Sequence, residues 1–567
     1  MKKNWTIEKE NKKLSEKLTK SLNISPVTAQ ILINRGIQNE TEANLFLNCT
    51  LFDLPSPYLM KGMDQAIERI KKGLYDKEKI AIYGDYDVDG VTSTALLYNF
   101  LKTIDADVTY YNPDRLKEGY GVNIDAVKKL ADEGVSLIVS GDCGITAVNE
   151  VEQAKELGVD FIVTDHHKPP EELPKAVSVL NPKLKDCKYP AKEIVGVGVI
   201  FNLVIALRRA LRDEGFFKEA EPNLGDYLDL VALGTVADCA PLLDVNRILV
   251  KEGIKRMENP KRIGVRALKE ASSVKGEVTS YDLGFKFGPR INASGRMSTA
   301  DNAVRLFISN NIDEARNLAK ELNKENSNRQ GTEGEIIKEA LSQLESSPEI
   351  MGSNSIVLSS RNWHPGIIGI VASRIVERYE KPTILIAIDE YGLGKGSGRS
   401  VEGVNIYAAL LECSDLFVQF GGHEQAAGLS ILEENVDTFR KMFDKALESN
   451  KEPYVQKINI DCSIDIESVT ENLIAELELL APYGIGNPEP VLLSRGIDVS
   501  SQRIYKDKHI GFKVKAGEKF HDAIWFNLDE PPVLPKKIDM VYTPEFNKWN
   551  GKKEVRLRVI DVCWSTD

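Results

Sequence analysis

The stretch IAIYGDYDVDGVTSTALL, residues 80–97, decides the fold of the largest predicted domain. IAIYG is a short apolar run that is typical of a buried strand, and a helix is predicted over 91–104. The connection between them carries Asp85, Asp87 and Asp89. A strand that leads through an acidic connection into a helix predicts the start of an α/β unit.

The same alternation continues downstream of this stretch. Strands are predicted at 107–111, 137–141 and 161–165, and helices at 123–134 and 147–158. Alternating strands and helices of this length predict a parallel sheet with helices on both faces, which is a doubly wound α/β fold. Ligands of such open sheets bind outside the carboxyl ends of the strands.

Acidic and histidine motifs follow three of these predicted strands. The motifs are DYDVDG (85–90), DCG (142–144) and DHH (165–167), and Asp238 follows the apolar run LVALGTVA. Carboxylates gathered at one sheet edge repel one another unless they are protonated or bind cations. Oxygen ligands with one imidazole suit Mn²⁺ or Mg²⁺, and a two-metal site is usual for phosphoryl chemistry. Each motif taken alone is also compatible with a turn or a helix cap.

The rest of the chain has a different organisation. A charged stretch with helical periodicity is predicted to connect this domain to a second, smaller α/β segment, and the last part has short strands without crossover helices, which predicts a small β-barrel. The predicted boundaries are 1–60 for an N-terminal segment, 61–310 for the first domain, 311–346 for the connector, 347–452 for the second domain and 453–567 for the barrel.

Composition and charge exclude several classes of protein. The chain has 567 residues with 73 Lys and Arg against 85 Asp and Glu, a net charge of −12, so overall charge does not attract nucleic acid, although a local basic track remains possible. No apolar run is long enough for a membrane span, and the start has no apolar core of a secretory signal. Seven scattered cysteines without a CxxC pair argue against disulfides and structural zinc, and favour a reducing cytoplasm.

Seven motifs of this chain resemble the DHH phosphoesterase superfamily and, within it, the RecJ family of single-strand-specific 5′→3′ exonucleases. They are YGDYDVDGVTSTALL (83–97), TDHHKP (164–169), ALGTVADCAPL (232–242), PRINASGRM (289–297), WHPGIIGIVASRI (363–375), GSGRS (396–400) and GGHEQAAG (421–428). The resemblance implies a doubly wound DHH domain, a smaller α/β DHH-associated domain and a C-terminal β-barrel of OB-fold type. It also implies degradation of single-stranded DNA from the 5′ end to 5′-mononucleotides in recombination and DNA repair, by a monomer that acts with a helicase and single-strand-binding protein.

The resemblance implies metal-binding and catalytic roles residue by residue. The residues that match ligands of two Mn²⁺ or Mg²⁺ ions are Asp87, Asp89, Asp142, His166 and Asp238, with Asp142 at the bridging position. Asp85 lies in the same motif, either as a ligand or as its support, and is the expected substitute because Tyr83 stands where many members have His. His167 matches the residue that contacts the scissile phosphate and assists protonation. Asp165 is expected to orient one of the imidazoles.

Phosphate-binding residues are implied on the other side of the cleft. Arg115, Ser397 and Arg399 match positions that hold the 5′-terminal phosphate, for which the planar guanidinium of Arg is suited. His423 matches a phosphate-contacting position of the DHH-associated domain. The other candidates in these motifs are Arg290, Asn292, Arg296, His364 and Ser400. Glycine-rich loops such as GSGRS and GGHEQAAG are also common as simple turns.

Three tryptophans lie in the predicted barrel, namely Trp525, Trp549 and Trp564. Aromatic side chains of OB-folds stack on bases, whereas a tryptophan can also be part of the barrel core. Two other functions stay open: a DHH phosphoesterase for short oligoribonucleotides or cyclic dinucleotides, and a non-catalytic scaffold that binds single strands. The former relatives lack the barrel and the latter lose metal ligands, so the sequence favours the exonuclease.

Overall fold

The computed structural model describes residues 4–114, 118–119, 121–218, 220–297, 299–448, 457–549 and 552–564. The chain begins with a small, mostly helical unit. Its elements are β1 (Asn4–Ile7), α1 (Lys12–Leu22), α2 (Pro26–Asn34) and α3 (Glu40–Asn48). No helix in these described ranges is long and apolar enough to cross a membrane.

The first large domain has the predicted doubly wound fold. Its elements are α4 (Met63–Tyr75), β2 (Lys79–Gly84), α5 (Val88–Thr103), β3 (Val108–Tyr111), α6 (Ile124–Asp132), β4 (Val135–Gly141), α7 (Val148–Glu156), β5 (Asp160–Thr164), β6 (Ser178–Leu180), α8 (Gly196–Asp213), α9 (Leu228–Ala237), α10 (Asp244–Glu258), α11 (Ile263–Ala271), α12 (Ser280–Asp282), α13 (Gly288–Met297) and α14 (Asp301–Ile308). The sheet order is β3-β2-β4-β5-β6, and its pairings are parallel.

Side-chain alternation along β2 explains the two helical layers. Ile80 and Ile82 pack against α5, α8 and α9, whereas Ala81 and Tyr83 pack against α6 and α7 on the opposite face. The chain turns outward from β2 to β3 and then returns to β4 on the other side of β2. The point where strand order reverses opens a crevice at the carboxyl ends of β2 and β4, where ligands of such sheets bind.

A long helix leads from this domain into a second one. The helix is α15 (Ile312–Ser346), which is continuous through two glycines. The following elements are α16 (Pro348–Gly352), β7 (Ile356–Ser360), α17 (Ile368–Tyr379), β8 (Thr383–Ile388), β9 (Leu393–Arg399), α18 (Ile406–Leu411), β10 (Phe417–Gly422), β11 (Ala426–Leu432) and α19 (Val436–Ala446). Their sheet order is β10-β11-β9-β8-β7, with β7 and β8 parallel. Apolar residues of α15 enter the cores of both domains.

The C-terminal region contains the predicted barrel. Its elements are β12 (Lys457–Ile460), β13 (Cys462–Ser463), α20 (Glu471–Glu478), β14 (Leu492–Tyr505), β15 (His509–Ala516), β16 (Lys519–Trp525), β17 (Lys537–Trp549) and β18 (Lys552–Trp564). The order β14-β15-β16-β18-β17 closes because β17 also pairs with β14. The predicted barrel is confirmed, and its strands β14, β17 and β18 are long, with 13 or 14 residues. A register shift between Ser494 and Ile497 bends β14 and interrupts the alternation of side chains by which one long strand is recognised in the sequence.

The N-terminal unit completes its core with residues from the C-terminal region. Strand β1 pairs in parallel with β12. Leucines of α20 pack among the apolar residues of α1, α2 and α3. Arg35 and Asp461 form a buried ion pair with a 2.8 Å N–O distance. Residues 4–48 and the region after 457 therefore fold together, and the predicted domain boundaries stay predictions.

Candidate metal centre and active site

The carboxyl ends of β2, β4 and β5 and the end of α9 bring the predicted acidic and histidine motifs together. Three groups have ligand atoms that all lie within 4.8 Å of one another: Asp142, His166 and His167; Asp89, His166 and Asp238; and Asp85, Asp87 and Asp142. Asp142 belongs to the first and third groups, and His166 to the first and second. A carboxylate that belongs to two groups, such as Asp142, can bridge two adjacent cations.

His166 lies at the centre of the cluster. Its Nε2 is 3.1 Å from Asp142 Oδ1, 3.7 Å from Asp238 Oδ2 and 3.8 Å from Asp89 Oδ2. Burial, with a contribution from His167, lowers the pKa of His166 to about 4, so the imidazole is neutral at pH 7 and available as a ligand. Both His166 Nε2 and Asp142 Oδ1 are buried and have no hydrogen-bond partner among the described residues.

The carboxylates of the cluster carry charge that the protein does not compensate. Burial raises the pKa of Asp142 well above its ordinary value, and the neighbouring Asp89 raises it further. Burial, and after it the charge of Asp238, raises the pKa of Asp89 well above its ordinary value. Burial and the charge of Asp87 raise the pKa of Asp238 to about 7. Divalent cations would remove this repulsion, and oxygen-rich ligands with one imidazole suit Mn²⁺ or Mg²⁺. The residues present therefore fit the expected pair of ions.

The N-terminus of α8 holds Asp89 in place. The backbone N–H groups of Gly196 and Val197 donate to its two carboxylate oxygens at 2.6 and 2.8 Å. A Cβ at position 196 would come within 2.6 Å of the Asp142 Cβ, so only glycine lets α8 approach both acids. The sequence analysis missed Gly196, and its signal was a glycine directly before an apolar helical run.

Two acids of the cluster also have local structural roles. Asp87 caps α5, since its Oδ1 accepts from the N–H groups of Asp89 and Gly90 at 2.9 and 3.1 Å. Asp142 has a φ of 66°, a left-handed conformation that Asp adopts more readily than most residues. Turn and cap roles for these aspartates are thus compatible with metal binding.

Asp165 orients His167 rather than His166. Its Oδ1 lies 2.7 Å from His167 Nδ1, and its Oδ2 accepts from the Ile145 N–H at 2.9 Å. Burial would raise the pKa of Asp165, but the hydrogen bonds from His167 outweigh it and lower the pKa. Burial would lower the pKa of His167, but the hydrogen bond to Asp165 and the negative charges of Asp165, Asp238 and Asp87 together raise it. The contact at Nδ1 therefore fixes the orientation of the His167 ring.

A cavity of about 360 Å³ opens above these residues. It is lined by Asp85, Tyr86, Asp87, His167, Asn292, Gly295 and Arg296. Asn292 Oδ1 accepts from the Val88 N–H at 3.2 Å, which fixes α13 against the start of α5. Arg296 donates to the carbonyl of Gly366 at 3.0 Å and so joins the cavity wall to the second domain. Tyr83 takes no part, because its hydroxyl bonds to Asn123 and Gly121 away from the cluster.

Ser397 and Arg399 form a separate cluster on β9. The Arg399 guanidinium donates to Ser397 Oγ at 3.2 Å and to the Gly398 carbonyl at 2.7 Å, and burial lowers its pKa. The start of α17 packs against both side chains at Gly369, where an added Cβ would lie 2.8 Å from Ser397 Oγ. A half-buried guanidinium beside a hydroxyl and a helix N-terminus is a suitable anion site.

The remaining candidates are scattered. Arg290 donates to Asn323 Oδ1 and to the Lys286 carbonyl, so it fastens α13 to α15. His364 Nδ1 accepts from the Gly366 N–H at 3.1 Å, next to the Arg296 contact. Ser400 donates to the Val404 carbonyl, and His423 is exposed with its N–H bonded to Ala426. Arg115 lies outside the described residues.

The barrel tryptophans differ in exposure. Trp525 packs partly against the barrel core, and Trp564 is 53% exposed. The side chain of Trp549 lies outside the described residues. Of the two side chains described, Trp564 is therefore the one available to stack on a base.

Comparison with known families agrees with this architecture. The model of the DHH family, N-terminal domain, matches residues 79–235, that of the DHHA1 domain matches 352–449, and that of the RecJ OB domain matches 460–561. These three matches coincide with the doubly wound domain, the smaller α/β domain and the barrel. They define a DHH-family protein with an OB-fold.

Whole-chain comparisons identify the family. The chain is 38% identical to the single-stranded-DNA-specific exonuclease RecJ of Bacillus subtilis over 99% of this chain and 71% of that protein. It is 37% identical to RecJ of Dickeya dadantii, over 94% and 95% of the two chains. The crystal structure of RecJ in complex with Mn²⁺ from Thermus thermophilus matches with a TM-score of 0.85 and 30% identity, over 100% of this chain and 80% of that one. The chain belongs to the RecJ family of single-stranded-DNA-specific exonucleases.

Proposed function

We propose that this chain is a metal-dependent exonuclease that degrades single-stranded DNA from the 5′ end to 5′-mononucleotides, in recombination and DNA repair. The observation that carries the proposal is the buried cluster of acids and histidines, with Asp142 and His166 shared between adjacent groups, beside an open cavity. The cavity lies at the reversal of strand order, where a phosphodiester has access to the cluster.

Asp87, Asp89, Asp142, His166 and Asp238 would hold two Mn²⁺ or Mg²⁺ ions, with Asp85 beside them. Such ions, when bound, polarise the phosphodiester and activate water for in-line attack. The T. thermophilus relative was crystallised with Mn²⁺ and with Mg²⁺. The chain's own contribution is to hold these oxygens in position, which α8 does for Asp89 through two N–H donors.

His167 is placed to bind the scissile phosphate. It lines the cavity, its side chain is 44% exposed, and Asp165 fixes its ring through Nδ1. Nε2 then donates a hydrogen bond to a phosphate oxygen and assists protonation of the leaving 3′ oxygen. Asp165 acts through His167 as a positioning residue.

The 5′ polarity of the proposal depends on an end-binding pocket in the second domain. Ser397 and Arg399 would take the 5′-terminal phosphate, with Arg115 from the first domain. Arg296, which bridges from α13 to Gly366, borders the passage between the domains. A passage narrower than a duplex would select single strands by size, without reading sequence.

The cellular setting of the enzyme is also proposed. We expect a cytoplasmic monomer that acts with a helicase and single-strand-binding protein, because a nuclease specific for single strands needs another activity to open a duplex. The thiols of Cys49, Cys143, Cys187, Cys239, Cys413 and Cys462 are free, which agrees with a reducing compartment.

Digestion of separately 5′- and 3′-labelled single strands and duplexes in Mn²⁺ tests the function. We expect the 5′ label to be released first, as mononucleotide, from single strands. Release of the 3′ label first would contradict the polarity, and equal digestion of duplex would contradict the strand preference. Cleavage that survives a chelator would reject the metal assignment.

A further inference from the structure

Two aromatic side chains stack on each other in solvent beside the metal centre. Tyr281 and Phe285 have ring centroids 4.8 Å apart with an interplanar angle of 26°. They are 61% and 70% exposed. Large apolar rings are normally buried, so an exposed stacked pair indicates a surface that another molecule covers.

This aromatic pair is continuous with the catalytic cavity. It precedes and enters the π-helical turn Leu283–Phe287, a geometry that often occurs at functional sites. The turn runs directly into α13, which supplies Asn292 and Arg296 to the cavity wall. The turn also packs on the end of α9, since a Cβ at position 284 would lie 3.6 Å from Val236 Cγ1. Val236 comes two residues before the candidate ligand Asp238.

The pair is continuous with the barrel as well. Ser280 Oγ donates to the Tyr483 carbonyl at 2.6 Å, and the Leu242 N–H donates to the Ile485 carbonyl at 2.7 Å. This contacted segment leads into β14, the first strand of the closed barrel. Ile485 is itself 55% exposed. The aromatic pair therefore lies between the metal centre and the barrel.

We propose that Tyr281 and Phe285 form a base-stacking subsite for the nucleotides that follow the scissile bond. This inference rests on the proposed function. A strand whose 5′ end lies toward Arg399 leaves the cavity past Asp238, and the rings meet its bases before they reach the barrel. Stacking on aromatic side chains tolerates any base, as a nuclease without sequence preference requires.

Size and charge favour single-stranded DNA over a protein partner. A stable protein interface buries about 800 Å² on each side, whereas one aromatic side chain offers about 150–250 Å². Lys286, the nearest cation of the turn, is paired with Asp282 at 2.7 Å. The subsite therefore contacts bases rather than phosphates, and its contribution to binding is independent of salt.

The test is the affinity of the full chain, in chelator, for 5′-phosphorylated oligothymidylates of two lengths. We expect the double variant Tyr281→Ala with Phe285→Ala to bind a strand long enough to reach the barrel about tenfold more weakly. A trinucleotide that fills only the cavity should bind as in the wild type. The affinity for the longer strand should fall with salt concentration at the same slope in the double variant as in the wild type.

Matched variants separate stacking from disruption of the fold. Tyr281→Phe with Phe285→Tyr keeps both rings and should bind like the wild type, as should Tyr391→Ala, which removes an 86% exposed ring elsewhere. The proposed subsite would be rejected if the double alanine variant bound the longer strand as tightly as the wild type. It would also be rejected if the affinity for the trinucleotide fell by the same factor as that for the longer strand. A wild type that degrades no single strand would instead overturn the proposed function.

Discussion

Asp142 and Arg247 are both charged and each is only 1% exposed, yet their surroundings are opposite. Asp142 lies among other acids, and its Oδ1 has no hydrogen-bond partner among the described residues. Arg247 donates to the carbonyls of Phe46, Leu479 and Leu480 at 2.8 to 3.1 Å and stacks on the Phe46 ring. A buried charge that the protein satisfies holds the fold together, and one that it leaves unsatisfied marks the place for a ligand.

Arg247, the satisfied charge, joins separate regions of the fold. The Arg247 guanidinium donates to carbonyls at the ends of α3 and α20, where a cation also interacts favourably with the helix dipoles. Burial lowers the pKa of Arg247 to about 10, which still leaves it protonated at neutral pH. Lys251, one turn further along α10, donates to the Leu47 carbonyl at 2.7 Å. Helix α10 thus locks the N-terminal and C-terminal regions onto the catalytic domain.

Asp142→Asn should show the largest effect. Asparagine keeps the volume and tolerates the left-handed backbone, but it removes the shared anionic ligand, so exonuclease activity in Mn²⁺ should fall by at least about a thousandfold. The melting temperature measured in chelator should be unchanged or higher, because a repulsive buried charge is removed. The control is Asp125→Asn, a 98% exposed acid on α6. Activity retained by Asp142→Asn would refute the metal assignment.

Arg247→Met should have the next largest effect, on stability. It removes three hydrogen bonds, including the one to the buried Phe46 carbonyl, and the contact with the Phe46 ring, so the free energy of unfolding should fall by about 3 kcal/mol in urea titrations. The surface variant Arg316→Met, which loses only an exposed pair with Glu270, should cost less than about 1 kcal/mol. Equal costs for the two variants would remove the distinction between a satisfied buried charge and a surface one.

Mn²⁺ should stabilise the protein through the unsatisfied cluster. At a hundredfold excess over the dissociation constant, binding adds about 2.7 kcal/mol to the free energy of unfolding. Thermal melts with and without Mn²⁺ measure this shift, and Asp142→Asn should lose most of it while Arg247→Met keeps it. A full shift in Asp142→Asn would place the ions elsewhere.

Arg399→Ala should show the smallest effect. It extends the comparison to a second arginine, whose expected partner is a phosphate. Arg399 is half-buried and has fewer acceptors than Arg247, as expected if a phosphate completes its partners. The rate preference for 5′-phosphorylated over 5′-hydroxyl single strands should fall about tenfold. Arg361→Ala, on the surface of the same domain, should keep the preference. An unaltered ratio in Arg399→Ala would move the end-binding pocket.

The sequence predicted what is encoded locally. Strand ends followed by DYDVDG, DCG and DHH were sufficient to place the sheet and its acidic edge, because parallel strands deliver their ends to one side. The helix 311–346 was predictable from its periodicity, although Gly331 and Gly334 interrupt it, since both glycines face open space. Family resemblance supplied the residue roles that spacing alone left open.

Long-range packing supplied what the sequence did not. Gly196 and Arg247 act on partners far away in the chain. The glycine before an apolar helical run did not reveal its contact with Asp142, and no local pattern indicated the importance of Arg247. The guanidinium of Arg290, a predicted cleft residue, bonds to Asn323 of α15 and to the Lys286 carbonyl in the turn before α13, and the sequence did not indicate these contacts. The N-terminal segment carried no recognisable motif, because its core is completed by α20. For the same reason, deletion of 453–567 would disrupt the N-terminal unit as well as remove the barrel.

The pairing of β1 with β12 means that the N-terminal unit can complete its fold only after the C-terminal region has been synthesised. Arg35 and its partner Asp461 are separated by 426 positions, so the first helices leave the ribosome long before the residues that complete their core are made. The catalytic domain can assemble in the meantime, since its sheet uses contacts that are closer in sequence. The apolar faces of α1 to α3 are exposed until translation reaches α20, which makes this unit a natural client for chaperones.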